Sequence, residues 1–72
     1  MNKKIRMGLI GAGRWGPNVL GALMRIEGIT VEFVADLNSD CLDILRTKFP
    51  SILTTTNPCE VLSNDNIDAV AI

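Results

Sequence analysis

The feature that most restricts the fold of this chain is a glycine-rich turn, Gly-Ala-Gly-Arg-Trp-Gly at residues 11–16, between two different hydrophobic patterns. Before it, residues 5–10 form a short apolar run that stops at the first glycine, which is typical of a buried strand. After it, apolar residues recur at helical spacing over residues 17–26. Pro17 suits a first helical turn because its missing N–H is not needed there. The sequence therefore predicts a strand, a tight turn and a helix in immediate succession.

The same alternation continues through the middle of the chain. Residues 30–35 are rich in β-branched and aromatic side chains, which favours a second strand. Ser39 is predicted to cap a second helix that ends at Pro50. The apolar stripe of this helix consists of Cys41, Leu42, Leu45 and Phe49. Residues 52–55 are predicted to form a brief edge strand.

The last part of the chain contains one more helix and one more strand. Asn57 is predicted to cap a short helix, with Pro58 in its first turn and Glu60 completing a capping box. Residues 67–72 form an apolar run that predicts a further buried strand. Because strands and helices alternate throughout, the predicted fold class is α/β, with parallel strands joined by right-handed crossovers.

Length and charge limit the classes of protein to which the chain can belong. Seventy-two residues suffice for one small domain or for a fragment of a larger one, but not for two domains. A formal net charge of −1 gives no electrostatic case for binding nucleic acid or a membrane surface. No segment approaches the roughly 18 apolar residues of a membrane span. The low net charge and the lack of such a segment together mean that neither nucleic acid nor a membrane is an expected partner.

Reactive side chains are few. The sequence has no His and no Tyr, which removes the commonest general base and the commonest metal ligand. Cys41 and Cys59 form no CxxC pattern, so neither a disulfide framework nor a metal site is expected. Two unpatterned thiols suit a reducing compartment, and the predicted localisation is therefore cytoplasmic.

Asp36 gives the glycine-rich turn a specific interpretation. It lies 20 residues after Gly16, at the end of the second predicted strand, which is the arrangement of a dinucleotide-binding site. Its carboxylate is expected to accept hydrogen bonds from the ribose of an adenosine and to repel a 2′-phosphate, which favours NAD over NADP. Leu37 and Asn38, which follow it, offer no cation to hold that phosphate.

Each residue of the turn has an expected task in such a site. Gly11 permits the tight turn, Gly13 lets the backbone approach a pyrophosphate, and Gly16 lets the helix pack against the sheet. The backbone N–H groups near Arg14 and Trp15 are expected to bind the anion. The Arg14 side chain either contacts a phosphate or faces solvent, whereas the Trp15 side chain is expected to pack against the protein.

Three stretches of the sequence resemble the N-terminal domain of the Gfo/Idh/MocA oxidoreductases. They are Ile-Arg-Met-Gly-Leu-Ile-Gly-Ala-Gly-Arg-Trp-Gly-Pro-Asn at residues 5–18, Val-Ala-Asp at 34–36 and Ile-Asp-Ala-Val-Ala-Ile at 67–72. That family includes glucose–fructose oxidoreductase, inositol dehydrogenases and nucleotide-sugar dehydrogenases. The resemblance implies a Rossmann-like sheet with strand order 3-2-1-4, and hydride transfer between NAD and a sugar, nucleotide-sugar or inositol-like alcohol.

The resemblance also implies what residues 1–72 do not contain. In the family, an active-site lysine lies in a later Glu-Lys-Pro motif, and a second domain supplies the substrate pocket. The chain is therefore expected to be the N-terminal part of a dinucleotide-binding domain without catalytic residues. Alone it is expected to be inactive and to bind NAD weakly or not at all. The alternative is a non-catalytic, Rossmann-like module that binds a nucleotide or self-associates through the exposed edge of its last strand.

Overall fold

A computed structural model describes residues 4–11 and 13–72, so that Ala12 of the glycine-rich turn lies outside the described residues. Strands and helices alternate as predicted. In chain order the elements are β1 (Ile5–Ile10), α1 (Gly16–Met24), β2 (Ile29–Ala35), α2 (Ser39–Lys48), β3 (Leu53–Thr55), α3 (Pro58–Leu62) and β4 (Ala69–Ala71). No helix in the described part of the chain is long and apolar enough to cross a membrane.

The four strands form one parallel sheet in the order β3-β2-β1-β4, which confirms the predicted Rossmann-like α/β fold. Ile10 pairs with Ala35, so β1 and β2 end side by side. The Gly11 N–H continues this pairing by donating to the Ala35 carbonyl at 2.9 Å. The glycine-rich turn and Asp36 therefore leave the sheet at the same edge.

The two faces of the sheet are covered by different helices. Leu9 belongs to the main buried cluster, which α1 and α2 complete. The members of that cluster are Leu9, Leu20, Val31, Val34, Leu42, Leu45 and Ile52. Gly8 precedes Leu9 and faces the other way, because successive side chains of a strand point to opposite faces. There it lies against Val61 of α3, which is fully buried.

The cap of α2 differs from the prediction. Asn38, rather than Ser39, is the N-cap: its backbone is extended and its side-chain oxygen accepts from the Asp40 N–H at 2.9 Å. Ser39 is already the first residue of the helix. Both residue types are good caps, and the sequence pattern alone does not decide between neighbours.

Replacing Asn38 with alanine is therefore expected to lower the free energy of unfolding by about 1 kcal/mol, the usual contribution of an N-cap side chain. Ser39→Ala is the matched control, since it removes a polar side chain one residue away without touching the cap. Urea denaturation of both variants measures the difference. If Ser39→Ala lowers the free energy of unfolding more than Asn38→Ala does, Ser39 and not Asn38 is the cap.

The predicted capping box of α3 forms only in part. Asn57 is the cap and accepts from the Cys59 N–H at 3.0 Å. Glu60, however, accepts from the Thr55 hydroxyl at 2.7 Å, and the Asn57 N–H donates to the same hydroxyl at 3.1 Å. Thr55 thus lies between the two halves of the box and links the end of β3 to the start of α3.

The last strand is shorter and less buried than predicted. β4 spans only Ala69–Ala71, all three residues are half-buried, and Ile72 is 97% exposed. Asp68 precedes the strand. Its N–H donates to the Arg6 carbonyl at 2.7 Å, and its carboxylate accepts from the Arg6 N–H at 2.9 Å and from the guanidinium at 3.2 Å. The hydrogen bond to this carboxylate raises the pKa of Arg6. The pair fixes the register of β4 at the end of the sheet opposite to the glycine-rich turn.

Candidate functional site

Two glycines of the turn adopt backbone conformations that other residues rarely reach. Gly11 has φ +79° and Gly13 has φ +59°, both in the left-handed region. A Cβ added at either position would meet no atom within 4 Å, so it is the conformation and not crowding within the chain that requires glycine. Gly16 is buried and begins α1, at the point where the sequence predicts contact between helix and sheet.

Several backbone N–H groups lie close together at the start of α1. The Gly16 N–H donates to the Gly13 carbonyl at 3.2 Å, and the Val19 N–H to the Trp15 carbonyl at 2.9 Å. The N–H groups of Arg14, Trp15 and Asn18 have no backbone acceptor among the residues that the structure describes. Unpaired donors at a helix N-terminus, together with its partial positive charge, favour an anion such as a phosphate.

The side chains of Arg14 and Trp15 both face outwards. Trp15 is 69% exposed, so the expectation that it packs against the protein is wrong. It lies at the N-cap position, before α1 turns its apolar face to the core, and it contributes no side-chain cap. The Arg14 guanidinium forms no ion pair with any carboxylate in the described ranges, which leaves it available to an anion at the helix start.

Asp36 lies directly against the glycine-rich turn. One carboxylate oxygen accepts from the Gly13 N–H at 2.6 Å, and the other accepts from the Asn38 N–H at 2.8 Å. The Asp36 N–H itself donates to the Thr55 carbonyl at 3.1 Å, which ties the end of β2 to β3. The sequence predicted that Asp36 and the turn share one edge of the sheet, but not that they are hydrogen-bonded to each other.

A shallow apolar pocket opens beside Asp36 at the ends of β1 and β2. Its remaining lining residues are Ile10, Gly11, Ala35, Leu37 and Pro58. Leu37 is 83% exposed and contributes apolar surface to this pocket. Sequence reasoning did not identify Leu37 or Pro58 as candidate site residues. The available signal was an apolar residue directly after the acid at the end of a strand.

A second small pocket lies between α1 and α2. It is lined by Gly13, Arg14, Pro17, Cys41 and Ile44. This second pocket adjoins the N–H donors at the start of α1, while the first pocket adjoins the Asp36 carboxylate. The arrangement therefore places backbone N–H donors and a carboxylate between two apolar surfaces.

Comparison with known proteins shows that the chain is similar to part of several dehydrogenases. A stretch of 69 residues is 39% identical to inositol 2-dehydrogenase 2 of Paenarthrobacter aurescens (strain TC1), and it covers 94% of this chain and 20% of that protein. The chain resembles the N-terminal Rossmann-like part of the Gfo/Idh/MocA oxidoreductases. It spans about a fifth of the length of that curated relative. No family model matches the chain.

Solved structures show the same resemblance. The myo-inositol 2-dehydrogenase of Lactobacillus plantarum is 29% identical, with a TM-score of 0.81 over 94% of this chain and 20% of that one. The WlbA dehydrogenase of Bordetella pertussis, crystallised with NADH and UDP-GlcNAcA, is 25% identical, with a TM-score of 0.81 over 100% of this chain and 21% of that one. Among the neighbours, some hold NAD(H) and others NADP.

Proposed function

We propose that this chain is the adenosine- and pyrophosphate-binding part of an NAD-dependent oxidoreductase whose substrate is the alcohol of a sugar, nucleotide sugar or inositol. The observation that carries the proposal is the convergence of the positive-φ glycines, the unpaired donors at the start of α1 and the Asp36 carboxylate at one edge of the sheet. Inositol 2-dehydrogenase as the curated relative, and UDP-GlcNAcA bound to WlbA, support the substrate class.

The turn and the first residues of α1 would hold the pyrophosphate. The N–H groups of Arg14, Trp15 and Asn18 are the donors, and the absence of a Cβ at Gly13 lets a phosphate approach the backbone. The Arg14 guanidinium supplies a positive charge at the same place. Charge-assisted hydrogen bonds of this kind contribute about 1.5–3 kcal/mol each.

Asp36 and the apolar pocket beside it would hold the adenosine. A carboxylate has about four lone-pair positions, and Asp36 uses two of them for Gly13 and Asn38, so capacity remains for two ribose hydroxyls. Leu37 and Pro58 offer apolar surface to the adenine ring. The negative charge of Asp36, followed by Leu37 and Asn38, disfavours a 2′-phosphate.

When bound, the nicotinamide supplies hydride chemistry, accepting a hydride from an alcohol carbon or returning it. The residues described above bind and orient the adenosine half of such a cofactor, and none of them is assigned a catalytic role. The cytoplasm is the proposed compartment, since Cys41 and Cys59 are both free thiols.

The test is an NMR titration of the chain with NAD and, separately, with NADP. We expect weak binding that shifts the amides of residues 13–18 and 36–38, with NAD preferred over NADP. Asp36→Arg is expected to reverse that preference by about ten- to hundredfold, since it exchanges repulsion of a 2′-phosphate for a charge-assisted contact. Asp40→Arg, an equal change of charge at an exposed position of α2, is the control.

Two outcomes would contradict the proposal. If Asp36→Arg leaves the NAD affinity unchanged, Asp36 does not bind the ribose. Failure of NAD to shift any amide of residues 13–18 would favour the alternative, a non-catalytic or self-associating module. The position of β4 at the edge of the sheet is the observation that supports that alternative.

A further inference from the structure

The geometry points to a second task for Asp36: it is a positioning residue that holds the glycine-rich turn in its anion-binding shape. The Gly13 N–H to Asp36 distance of 2.6 Å is short, as expected when the acceptor is a carboxylate. This contact joins residues 23 positions apart, and among the described residues it is the only hydrogen bond between the turn and a side chain.

The turn needs such a support. Gly13 sits at φ +59°, and glycine has more conformational freedom to lose than any other residue. The Gly13 N–H donates to the Asp36 carboxylate, while the Gly13 carbonyl accepts from the Gly16 N–H at 3.2 Å. Gly13 is therefore held from both sides, by Asp36 and by the first residue of α1.

Asp36 is itself held firmly enough to serve as the anchor. Its second oxygen accepts from the Asn38 N–H, and its backbone N–H donates to Thr55 on the neighbouring strand. Asn38 in turn caps α2. Through its backbone N–H and its carboxylate, Asp36 thus links the ends of β2 and β3 and the start of α2 to the turn that precedes α1.

This link couples the two halves of the proposed binding site, and in that respect it rests on the proposed function. The carboxylate that would receive the ribose also sets the shape of the turn that would receive the pyrophosphate. Loss of Asp36 should therefore weaken binding of a phosphate ligand that has no ribose. Coulomb's law alone predicts the opposite, because removal of a negative charge near the site favours an anion.

The experiment compares Asp36→Ala with Asp40→Ala, which removes an equal charge from an exposed side chain of α2. The first measurement is amide hydrogen exchange without ligand. We expect the Gly13 and Asn38 amides to exchange about tenfold faster or more in Asp36→Ala and to remain unchanged in Asp40→Ala. The amides of Val34 and Leu45 in the core report whether either variant has lost its fold.

The second measurement is titration with inorganic pyrophosphate. We expect Asp36→Ala to lower its affinity about tenfold and Asp40→Ala to leave it equal or slightly higher. Unchanged exchange at Gly13 would overturn the positioning role. Pyrophosphate affinity that is equal or higher in Asp36→Ala, or not measurable in the unmodified chain, would overturn the coupling.

These results are separable from the proposed function. If NAD binds the unmodified chain but the exchange rate of the Gly13 amide is the same in Asp36→Ala, the positioning role fails and the proposed function stands. If Gly13 exchange responds as expected but NAD does not bind, the proposed function fails, together with the coupling, and the role of Asp36 in shaping the turn stands.

Discussion

Replacing Gly8 with alanine is expected to destabilise the fold by about 1–3 kcal/mol, the usual cost of forcing extra atoms into a packed interior. An added Cβ would lie 2.4 Å from Cγ1 of Val61, which is well inside any tolerable contact. Val61 is fully buried and β-branched, so it has no inexpensive alternative rotamer. Against a total stability of about 5–15 kcal/mol for a typical domain, this is a large effect.

Gly21→Ala is the matched control for that experiment. Gly21 lies inside α1, and a Cβ there meets no atom within 4 Å. Alanine should therefore stabilise the helix by about 0.5–1 kcal/mol. Urea denaturation measures both variants, and the two glycine-to-alanine changes are expected to shift the midpoint in opposite directions.

A double-mutant cycle identifies the contact responsible. In a Val61→Ala background the neighbouring methyl group is gone, so the added penalty of Gly8→Ala should largely disappear. An equal penalty in both backgrounds would show that α3 does not pack against Gly8. Unaltered stability of Gly8→Ala alone would argue against the same packing.

The fold was predictable because its signals are local. The change from a strand-like run to helical spacing at the glycine-rich turn, and the β-branched run before Asp36, each lie within one element. The importance of Gly8 was not predictable in this way, because it depends on Val61, which is distant in the sequence. The same holds for Thr55, which takes hydrogen-bonding positions that the capping-box pattern assigns to Asn57 and Glu60.

The candidate site was likewise predictable only in part. Motif spacing predicted that Gly11, Gly13 and Asp36 lie at one edge of the sheet, because the carboxyl ends of parallel strands meet there. The hydrogen bond between Gly13 and Asp36 depends on side-chain direction in the folded chain, which spacing does not encode. The exposure of Trp15 was not predicted. Helical periodicity indicates which face of a helix a residue lies on, but at the first turn it does not indicate whether that face contacts the core.

Gly13→Ala is expected to weaken ligand binding as well as stability. Alanine at φ +59° costs about 1–2 kcal/mol of stability through backbone strain, and no clash within the chain adds to it. Binding should suffer separately, because the proposed site brings a phosphate to the face of the backbone where glycine has no side chain. We expect NAD affinity to fall at least about tenfold, equivalent to the loss of one charge-assisted hydrogen bond.

Gly28→Ala separates strain from binding. Gly28 has φ +90°, and an added Cβ there also meets no atom within 4 Å, but it lies in the turn before β2, away from the proposed site. Its stability cost should match that of Gly13→Ala in urea denaturation, while NAD affinity by NMR titration stays unchanged. If both variants lose affinity equally, the loss reflects stability alone. Only an effect confined to Gly13 identifies the turn as the surface that meets the phosphates.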